Sequence, residues 1–568
     1  MRRQLVLLMA VACAVCTESS PTEFAEQLIA CGFGSSVALD VGDMIRDGGG
    51  GASFCLESPD GGTYLLLPFV AGPRDTAATV TVSVFGGGIG PAPSLDAVGP
   101  AASLVTASSA DAADLIEATD AWHHVLRARE HAELRQHAAG AATRPTPPRD
   151  AVQSPAAAES VAPGDLLALN VSARCDAQDM RGARVAAVTA HAIVTYDPAN
   201  PTNGAFTDQD WQTFGTQFDA LVQPVVTQNF GAVTDIDGNG RVILFFTRAV
   251  NEIVPPGGGI GIVGGFFWRG DLFPRDGIPN RTAPCANGNE AEVLYLAVPD
   301  PEGEVRGVPI SDATLRQVMV ATIGHELQHL VSSGRRLYIT EAPVLEETWL
   351  NEGLSYIAEE LLFYAAAGTE PRQNLTAQDI LASSRSTDAF NTYGVGNLGR
   401  LNVFLQAPQD WSVMGEDAIP TRGAAWSFLR YLIDRDPRPD DVIIKALIDG
   451  QQAGLANLTA ALGEDPLPWM HDWSLSLFTD DLVTGLEPRF EQPSWALRDI
   501  ISALRPDQQY PLRILPIEPG EGFSVELQPG AAAYPLFALR PGTRAIIGLG
   551  ADGETTDRTV RTVVMRVE

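Results

Sequence analysis

The chain has 568 residues, of which 70 are acidic and 38 are lysine or arginine, so its formal net charge is −32. Hydrophobic residues make up 45% and charged residues 19%, which are ordinary values for globular protein and exclude wholesale disorder. A strongly negative surface repels phosphate backbones, so we expect no nucleic-acid partner. At roughly 150 residues per domain, the length predicts several domains.

Residues 1–16 have the pattern of an export signal. Two arginines precede an apolar run, and small residues precede Cys13. The run is too short to span a membrane, and no later stretch reaches about 18 uninterrupted apolar residues. Cys13 also allows a bacterial lipid anchor. We therefore expect a bacterial protein that is secreted or held at the cell envelope, without a transmembrane helix.

Both ends of the mature chain predict β structure. Residues 22–108 contain short apolar runs separated by glycine clusters and form an N-terminal β module, and residues 491–568 form a C-terminal β module. Between them, residues 109–165 are predicted as a polar helix followed by a linker rich in proline and alanine, an accessible point for proteolysis. The sequence allows residues 22–165 to be either a removable propeptide or a permanent module.

Residues 166–490 read as one α+β domain, because strands come first and helices follow. A helical lobe, from Trp426 to Leu482, completes it. The predicted strands cover 183–195, 241–247 and 292–298, and the predicted helices cover 208–228, 312–333 and 345–364.

Four cysteines follow the export signal, and none forms a CxxC pair. An even number of cysteines in an exported chain predicts two disulfides. The simplest of the three pairings joins Cys31 with Cys55 and Cys175 with Cys285.

The stretch ATIGHELQHLV carries the most informative motif. His325 and His329 are four residues apart, so on a helix both imidazoles project from one face and can share a cation. Glu326 beside them can accept a proton from a water molecule on that cation. Ser311 is a plausible N-cap for this helix.

A third ligand is expected from the following helix. Glu352 lies 23 positions after His329, in the stretch EETWLNEGLSYIAEE. Two imidazoles and one carboxylate form a three-ligand cage for Zn²⁺ that leaves a fourth position for water. The sequence therefore predicts a zinc site made of His325, His329 and Glu352.

HELQH followed by WLNEG resembles the gluzincin metallopeptidases. The order DWQTFGTQFD, TDIDGNGRVIL, LYLAV, GHELQHLV, TWLNEGLSYIAEE and AAWSFLRYL is similar to the hyicolysin-type family, peptidase family M30, over about residues 185–485. The resemblance implies a zincin-like catalytic domain, with a mixed sheet, the HExxH helix, the helix of the glutamate ligand and a helical C-terminal lobe. The modules that flank this domain lie outside the resemblance, and their strand and turn patterns predict small β-sandwich-like folds. The resemblance also implies Zn²⁺ on His325, His329 and Glu352, with Glu326 as the general base.

The same resemblance implies a tyrosine or histidine that stabilises the oxyanion from a later segment. This chain has Arg422 where the tyrosine is expected. An arginine can donate hydrogen bonds to an oxyanion. Tyr393 is a second candidate, and a purely structural role for both residues stays open.

The stretch DIDGNG resembles the start of an EF-hand loop. Asp235, Asp237 and Asn239 occupy its first, third and fifth positions, which makes Ca²⁺ a second candidate cofactor. The twelfth position is Phe246, where a glutamate is required. A tight turn into the following strand is the alternative.

These observations predict an exported, monomeric zinc metalloendopeptidase that hydrolyses protein or peptide substrates. The alternative is a non-catalytic binding or adhesion protein of the cell surface, whose zinc site is structural or idle. Substrate preference is not encoded in any motif.

Overall fold

The computed structural model describes part of the chain, including nearly all of the segment predicted as the catalytic domain. The described residues are 36–47, 53–72, 77–86, 88–90, 92, 126–127, 161–253, 263–279, 282–504, 509–517, 522–550 and 560–568.

The described residues form three β-sheets. Their strands are β1 (Met44–Asp47), β2 (Ser53–Ser58), β3 (Gly62–Val70), β4 (Ala78–Phe85), β5 (Ile89–Gly90), β6 (Leu166–Asn170), β7 (Met180–Val188), β8 (Ala192–Tyr196), β9 (Val242–Phe246), β10 (Gly265–Phe267), β11 (Val293–Leu296), β12 (Ile514–Pro516), β13 (Gly522–Leu527), β14 (Tyr534–Leu539), β15 (Thr543–Gly550) and β16 (Val560–Arg566).

Three of the helices lie between strands β8 and β10, and the others lie between β11 and β12. The helices are α1 (Asp208–Gln217), α2 (Gln223–Phe230), α3 (Arg248–Asn251), α4 (Asp312–Gly334), α5 (Thr348–Ala367), α6 (Ala377–Leu381), α7 (Ser384–Ala389), α8 (Val395–Leu405), α9 (Ile419–Arg435), α10 (Asp440–Ile448), α11 (Gly454–Leu462), α12 (Leu467–Thr479) and α13 (Leu497–Leu504).

The central sheet is mixed and has the strand order β10-β11-β9-β8-β7-β6. Strands β8, β9 and β11 are parallel to one another, and the outer strands are antiparallel to their neighbours. Strands β9 and β11 are buried along their whole length, which explains why each reads as an uninterrupted apolar run. Together with the helices, this sheet makes an α+β domain, as predicted.

The single strand predicted over 183–195 is instead a hairpin of β7 and β8. The chain turns between them because the carboxylate of Asp219 accepts hydrogen bonds from the backbone N–H groups of Ala190 and His191. Asp219 lies in the π-helical turn that joins α1 to α2. The turn between β7 and β8 therefore depends on a residue that is distant in sequence.

The predicted helices over 312–333 and 345–364 are confirmed as α4 and α5. The side chain of Ser311 accepts a hydrogen bond from the N–H of Thr314 and caps α4, as expected. The predicted helical lobe is also present, as α9 to α12.

The β segments at the two ends of the chain, predicted as separate modules, pair with each other in two shared sheets. One sheet has the order β1-β16-β3-β14-β12, with β5 also paired to β14, and the other has the order β13-β4-β15-β2. Strand β3 is hydrogen-bonded to both β14 and β16. Tertiary packing decides which strands pair when hundreds of residues separate them, and local sequence patterns do not predict this pairing. Removal of β2 to β4 would therefore break both sheets.

The predicted disulfide between Cys175 and Cys285 is confirmed, with a Cα–Cα distance of 4.5 Å. Cys55 is also disulfide-bonded, whereas Cys31, its predicted partner, lies outside the described residues. The predicted export signal with Cys13, and the proline-rich linker up to residue 160, lie outside them as well. Among the residues that the structure describes, no helix is both long and apolar enough to cross a bilayer.

Candidate metal centre

Helices α4 and α5 bring the three predicted metal ligands together. Nε2 of His325 lies 3.2 Å from Nε2 of His329. The carboxylate of Glu352 places one oxygen 3.5 Å from Nε2 of His325 and the other 3.4 Å from Nε2 of His329. All three side chains are buried.

Glycines beside these ligands let the helices approach closely. A Cβ on Gly324 would lie 2.3 Å from a methyl carbon of Leu362 on α5. A Cβ on Gly353 would lie 2.7 Å from a methyl carbon of Leu429 on α9. Each glycine is the immediate neighbour of a ligand, so the absence of a side chain there allows the close helix packing that brings the ligands together.

The donor set fits a tetrahedral cation. With zinc-to-ligand distances of about 2.0–2.1 Å, the donor atoms of a tetrahedron are about 3.3–3.4 Å apart. The three observed distances lie between 3.2 and 3.5 Å. In addition, both carboxylate oxygens of Glu352 are buried, and they face Nε2 of the two histidines and, at 3.6 and 3.7 Å, the guanidinium groups of Arg127 and Arg422. The arginines compensate part of the carboxylate charge, and a cation between the three donor atoms would compensate it directly.

Polar groups on α5 contact the outer atoms of both imidazoles. An oxygen of Glu359 lies 2.8 Å from Nδ1 of His325, and the side-chain amide of Asn351 lies 2.8 Å from Nδ1 of His329. The hydroxyl of Ser355 instead lies 3.1 Å from Nε2 of His325, the predicted donor atom. These residues were not among the predicted site residues, although Ser355 and Glu359 follow Glu352 at the three- and seven-residue spacings of one helix face.

The charges of the three ligands are strongly coupled. Burial lowers the pKa of His329 to about 3. Burial also opposes a proton on His325, but hydrogen bonds with Glu352 and Glu359 outweigh it and raise that pKa to about 9. Burial would raise the pKa of Glu352, yet Arg422 and the two histidines hold it well below its ordinary value.

Glu326 lies beside the ligands and is held by the sheet. Its Oε2 accepts a hydrogen bond of 2.9 Å from the N–H of Phe267, the last residue of β10. Burial, with a contribution from the charge of Glu352, raises the pKa of Glu326 to about 7. This carboxyl group is therefore fixed in orientation next to the donor set.

Arg127 also reaches this centre, which the sequence did not predict. Its guanidinium lies 3.6 Å from Oε1 of Glu352 and 4.0 Å from Oε2 of Glu326. It donates a hydrogen bond of 3.2 Å to the carbonyl of Phe267. Arg127 and its neighbour Leu126 are the described part of the predicted helix in 109–165, and both are buried. The polar composition of the predicted helix did not indicate this burial.

The two oxyanion candidates lie in different surroundings. Arg422 is 3.7 Å from Oε2 of Glu352, donates to the hydroxyl of Tyr356 at 2.9 Å, and forms two hydrogen bonds with Asp417 at 2.5 and 2.8 Å. Tyr393 lies in the buried π-helical turn after α7, and within the described chain no hydrogen bond or ion pair joins it to the metal ligands. The ring of Tyr356 is 4.8 Å from that of His325. Tyr356 was missed, although it follows Glu352 by four residues.

The predicted calcium residues lie in the turn before β9. Oxygens of Asp235 and Asp237 approach Glu292, which directly precedes β11. Asn239 donates both its backbone N–H and its side-chain amide to Asp237. Phe246, at the twelfth loop position, is buried in β9.

These features define an α+β protein with a candidate His-His-Glu metal site. No protein-family model matches the chain. Over 156 residues it is 25% identical to the neutral metalloprotease ShpI of Staphylococcus hyicus, a stretch that covers 27% of this chain and 31% of ShpI. The match therefore spans less than a third of that relative. It supports a distant relationship to a metallopeptidase, and a metal at this site fits that relationship, with zinc favoured by the ligands.

Proposed function

We propose that the protein is an exported, monomeric zinc metalloendopeptidase with a zincin-like catalytic domain, related to the hyicolysin-type family, and that it acts on proteins or peptides. The observation that carries this proposal is the spacing of the donor atoms of His325, His329 and Glu352 beside the carboxyl group of Glu326. When bound, Zn²⁺ supplies a water of pKa about 7 and polarises the scissile carbonyl.

Glu326 acts as the general base. Its carboxylate takes the proton of the attacking water and passes it to the leaving amine. The hydrogen bond from Phe267 fixes its Oε2, so the carboxylate need not reorganise during the transfer.

Glu359 and Asn351 orient the imidazoles. Ligation through Nε2 requires a proton on Nδ1, which must then donate to an acceptor. The carboxylate of Glu359 is such an acceptor for His325. For His329 the acceptor is the side-chain amide of Asn351, which lies against Nδ1. Turning this amide by 180° exchanges its nitrogen and oxygen, so that the oxygen accepts the hydrogen bond from Nδ1.

The position of Arg422 supports it over Tyr393 as the group that assists the oxyanion. Its guanidinium is buried at 2% exposure and lies against the ligand Glu352, whereas Tyr393 lies among α7 and α8. The ion pair with Asp417 fixes the guanidinium plane.

Two substitutions test this function. Glu326→Gln is expected to keep bound zinc and to lower casein hydrolysis by about 10²- to 10⁴-fold, because the proton acceptor is lost. His329→Ala is expected to lose zinc. Zinc content and casein hydrolysis of the purified variants are measured together, with the exposed Asp276→Asn as a control. If Glu326→Gln hydrolyses casein as fast as the parent, the mechanism is wrong.

The alternative function, a cell-surface binding or adhesion protein with an idle zinc site, is favoured by one observation. Arg422 stands where the resemblance implies a tyrosine, and it is already bonded to Asp417 and Tyr356. Under this alternative, the zinc-loaded chain cleaves no peptide in a diverse peptide library, and chelator treatment leaves binding to its partner intact.

A further inference from the structure

A second cluster of carboxylates lies where two parallel strands begin. Asp235 and Asp237 precede β9, and Glu292 precedes β11, its parallel neighbour. The starts of adjacent parallel strands lie at the same edge of a sheet. One oxygen from each of the three side chains lies within 4.8 Å of the other two.

Glu292 gives evidence for a bound ligand that is independent of the turn carrying Asp235 and Asp237. Its side chain comes from a different element and is 1% exposed. Oε1 accepts a hydrogen bond of 3.0 Å from the N–H of Ile236, whereas Oε2 is buried and has no hydrogen-bond partner in the part of the chain that the structure describes. Among the described residues, no arginine or lysine forms an ion pair with Glu292, Asp235 or Asp237. Three carboxylates without a counter-charge, two of them buried, are costly in an otherwise folded domain.

The electrostatics of the cluster agree with this reasoning. Burial, followed by repulsion from Asp237 and Asp235, raises the pKa of Glu292 to about 7. Burial and repulsion from Asp235 raise the pKa of Asp237 to about 6. A divalent cation would reverse both effects, because it stabilises the ionised forms.

We propose that Asp235, Asp237 and Glu292 bind a calcium ion. The donor set consists only of oxygen atoms, which Ca²⁺ prefers, and water can complete its six to eight ligands. Glu292 supplies from the neighbouring strand the carboxylate that Phe246 cannot supply from the twelfth loop position. Asn239 acts as a positioning residue, because its two N–H donors hold the carboxylate of Asp237.

The loop that carries this site supports the catalytic helix. Thr234, next to Asp235, packs against Gly334 at the end of α4, where an added Cβ would lie 2.6 Å from the threonine hydroxyl. Helix α4 carries His325 and His329. Calcium would thus hold the loop against the helix that presents the zinc ligands, and its binding should raise the unfolding temperature of the domain.

The test uses the full chain with Glu326→Gln, loaded with zinc, so that neither self-digestion nor the zinc site interferes. Calcium alone is the probe, up to about 10 mM, which exceeds the dissociation constants of weak extracellular sites. Near a hundred times its dissociation constant, calcium should raise the unfolding midpoint by about 3–8 °C. Adding Glu292→Gln should abolish this shift, whereas adding the exposed Asp276→Asn should leave it intact.

The design separates loss of the site from loss of the fold. Without calcium, Glu292→Gln should melt no lower than its parent, because it removes a buried, uncompensated charge. A parent midpoint that calcium does not move, or a full shift retained in Glu292→Gln, overturns the proposal.

Discussion

Glu359 provides the sharpest quantitative test of the metal centre. Its carboxylate is 2.8 Å from Nδ1 of His325, on the side of the ring opposite the donor atom. The substitution Glu359→Gln keeps the size of the side chain and removes its charge. We expect zinc to stay bound, but more weakly, since His325 becomes less basic and less well oriented.

The magnitude follows from the contact. The Glu359 side chain is 11% exposed, so little solvent screens the interaction. A hydrogen bond to a charged group contributes about 1.5–3 kcal/mol. Because about 1.4 kcal/mol is tenfold in affinity, loss of this bond should weaken zinc binding by about 10- to 100-fold.

Zinc affinity can be measured by competition with a fluorescent chelator at neutral pH. Glu360→Gln is the matched control, because Glu360 is the next residue on α5 and is also buried, but it contacts Trp495 and Arg430. The control should change zinc affinity less than about twofold, even where it changes stability. A Glu359→Gln protein that binds zinc as tightly as the parent would refute the assignment of His325 as a ligand oriented by Glu359.

Three further predictions concern stability. Gly324→Ala should lower the free energy of unfolding by about 1–3 kcal/mol in urea denaturation, because its Cβ would overlap a leucine of α5, and an unchanged denaturation midpoint would contradict this packing. Burial lowers the pKa of His471 to about 3, whereas its pKa in the unfolded chain is near 6.5. The unfolded chain therefore binds the proton first, and the free energy of unfolding should fall by about 2 kcal/mol between pH 6.5 and 5. His471→Phe should therefore unfold with a shallower dependence on pH than the parent, and parallel pH profiles would argue against it. Replacing Cys175 and Cys285 together with serine should cost about 2–5 kcal/mol, because the bond closes a sequence separation of 110 residues, and calorimetry that finds no loss would count against this stabilisation.

Local patterns in the sequence were sufficient to predict the helices of the metal centre and its candidate ligands. The spacing of His325 and His329 already placed both rings on one face of α4, because four residues make about one helical turn. Glu352 could be predicted because it lies on the next helix, after a short connection. The same helical spacing places Ser355 and Glu359 on the face of α5 that carries Glu352, although neither residue was predicted.

Tertiary structure alone decided the contacts between distant segments. Arg127 reaches Glu326 and Glu352 across about 200 residues, and Glu292 joins Asp237 from a neighbouring strand, with no periodic signal in the sequence. The pairing of strands from both ends of the chain in shared sheets is of the same kind. Helical periodicity depends on residues within one or two turns, so a short stretch of sequence reveals it. The contacts between distant segments depend on which surfaces meet when the whole chain packs.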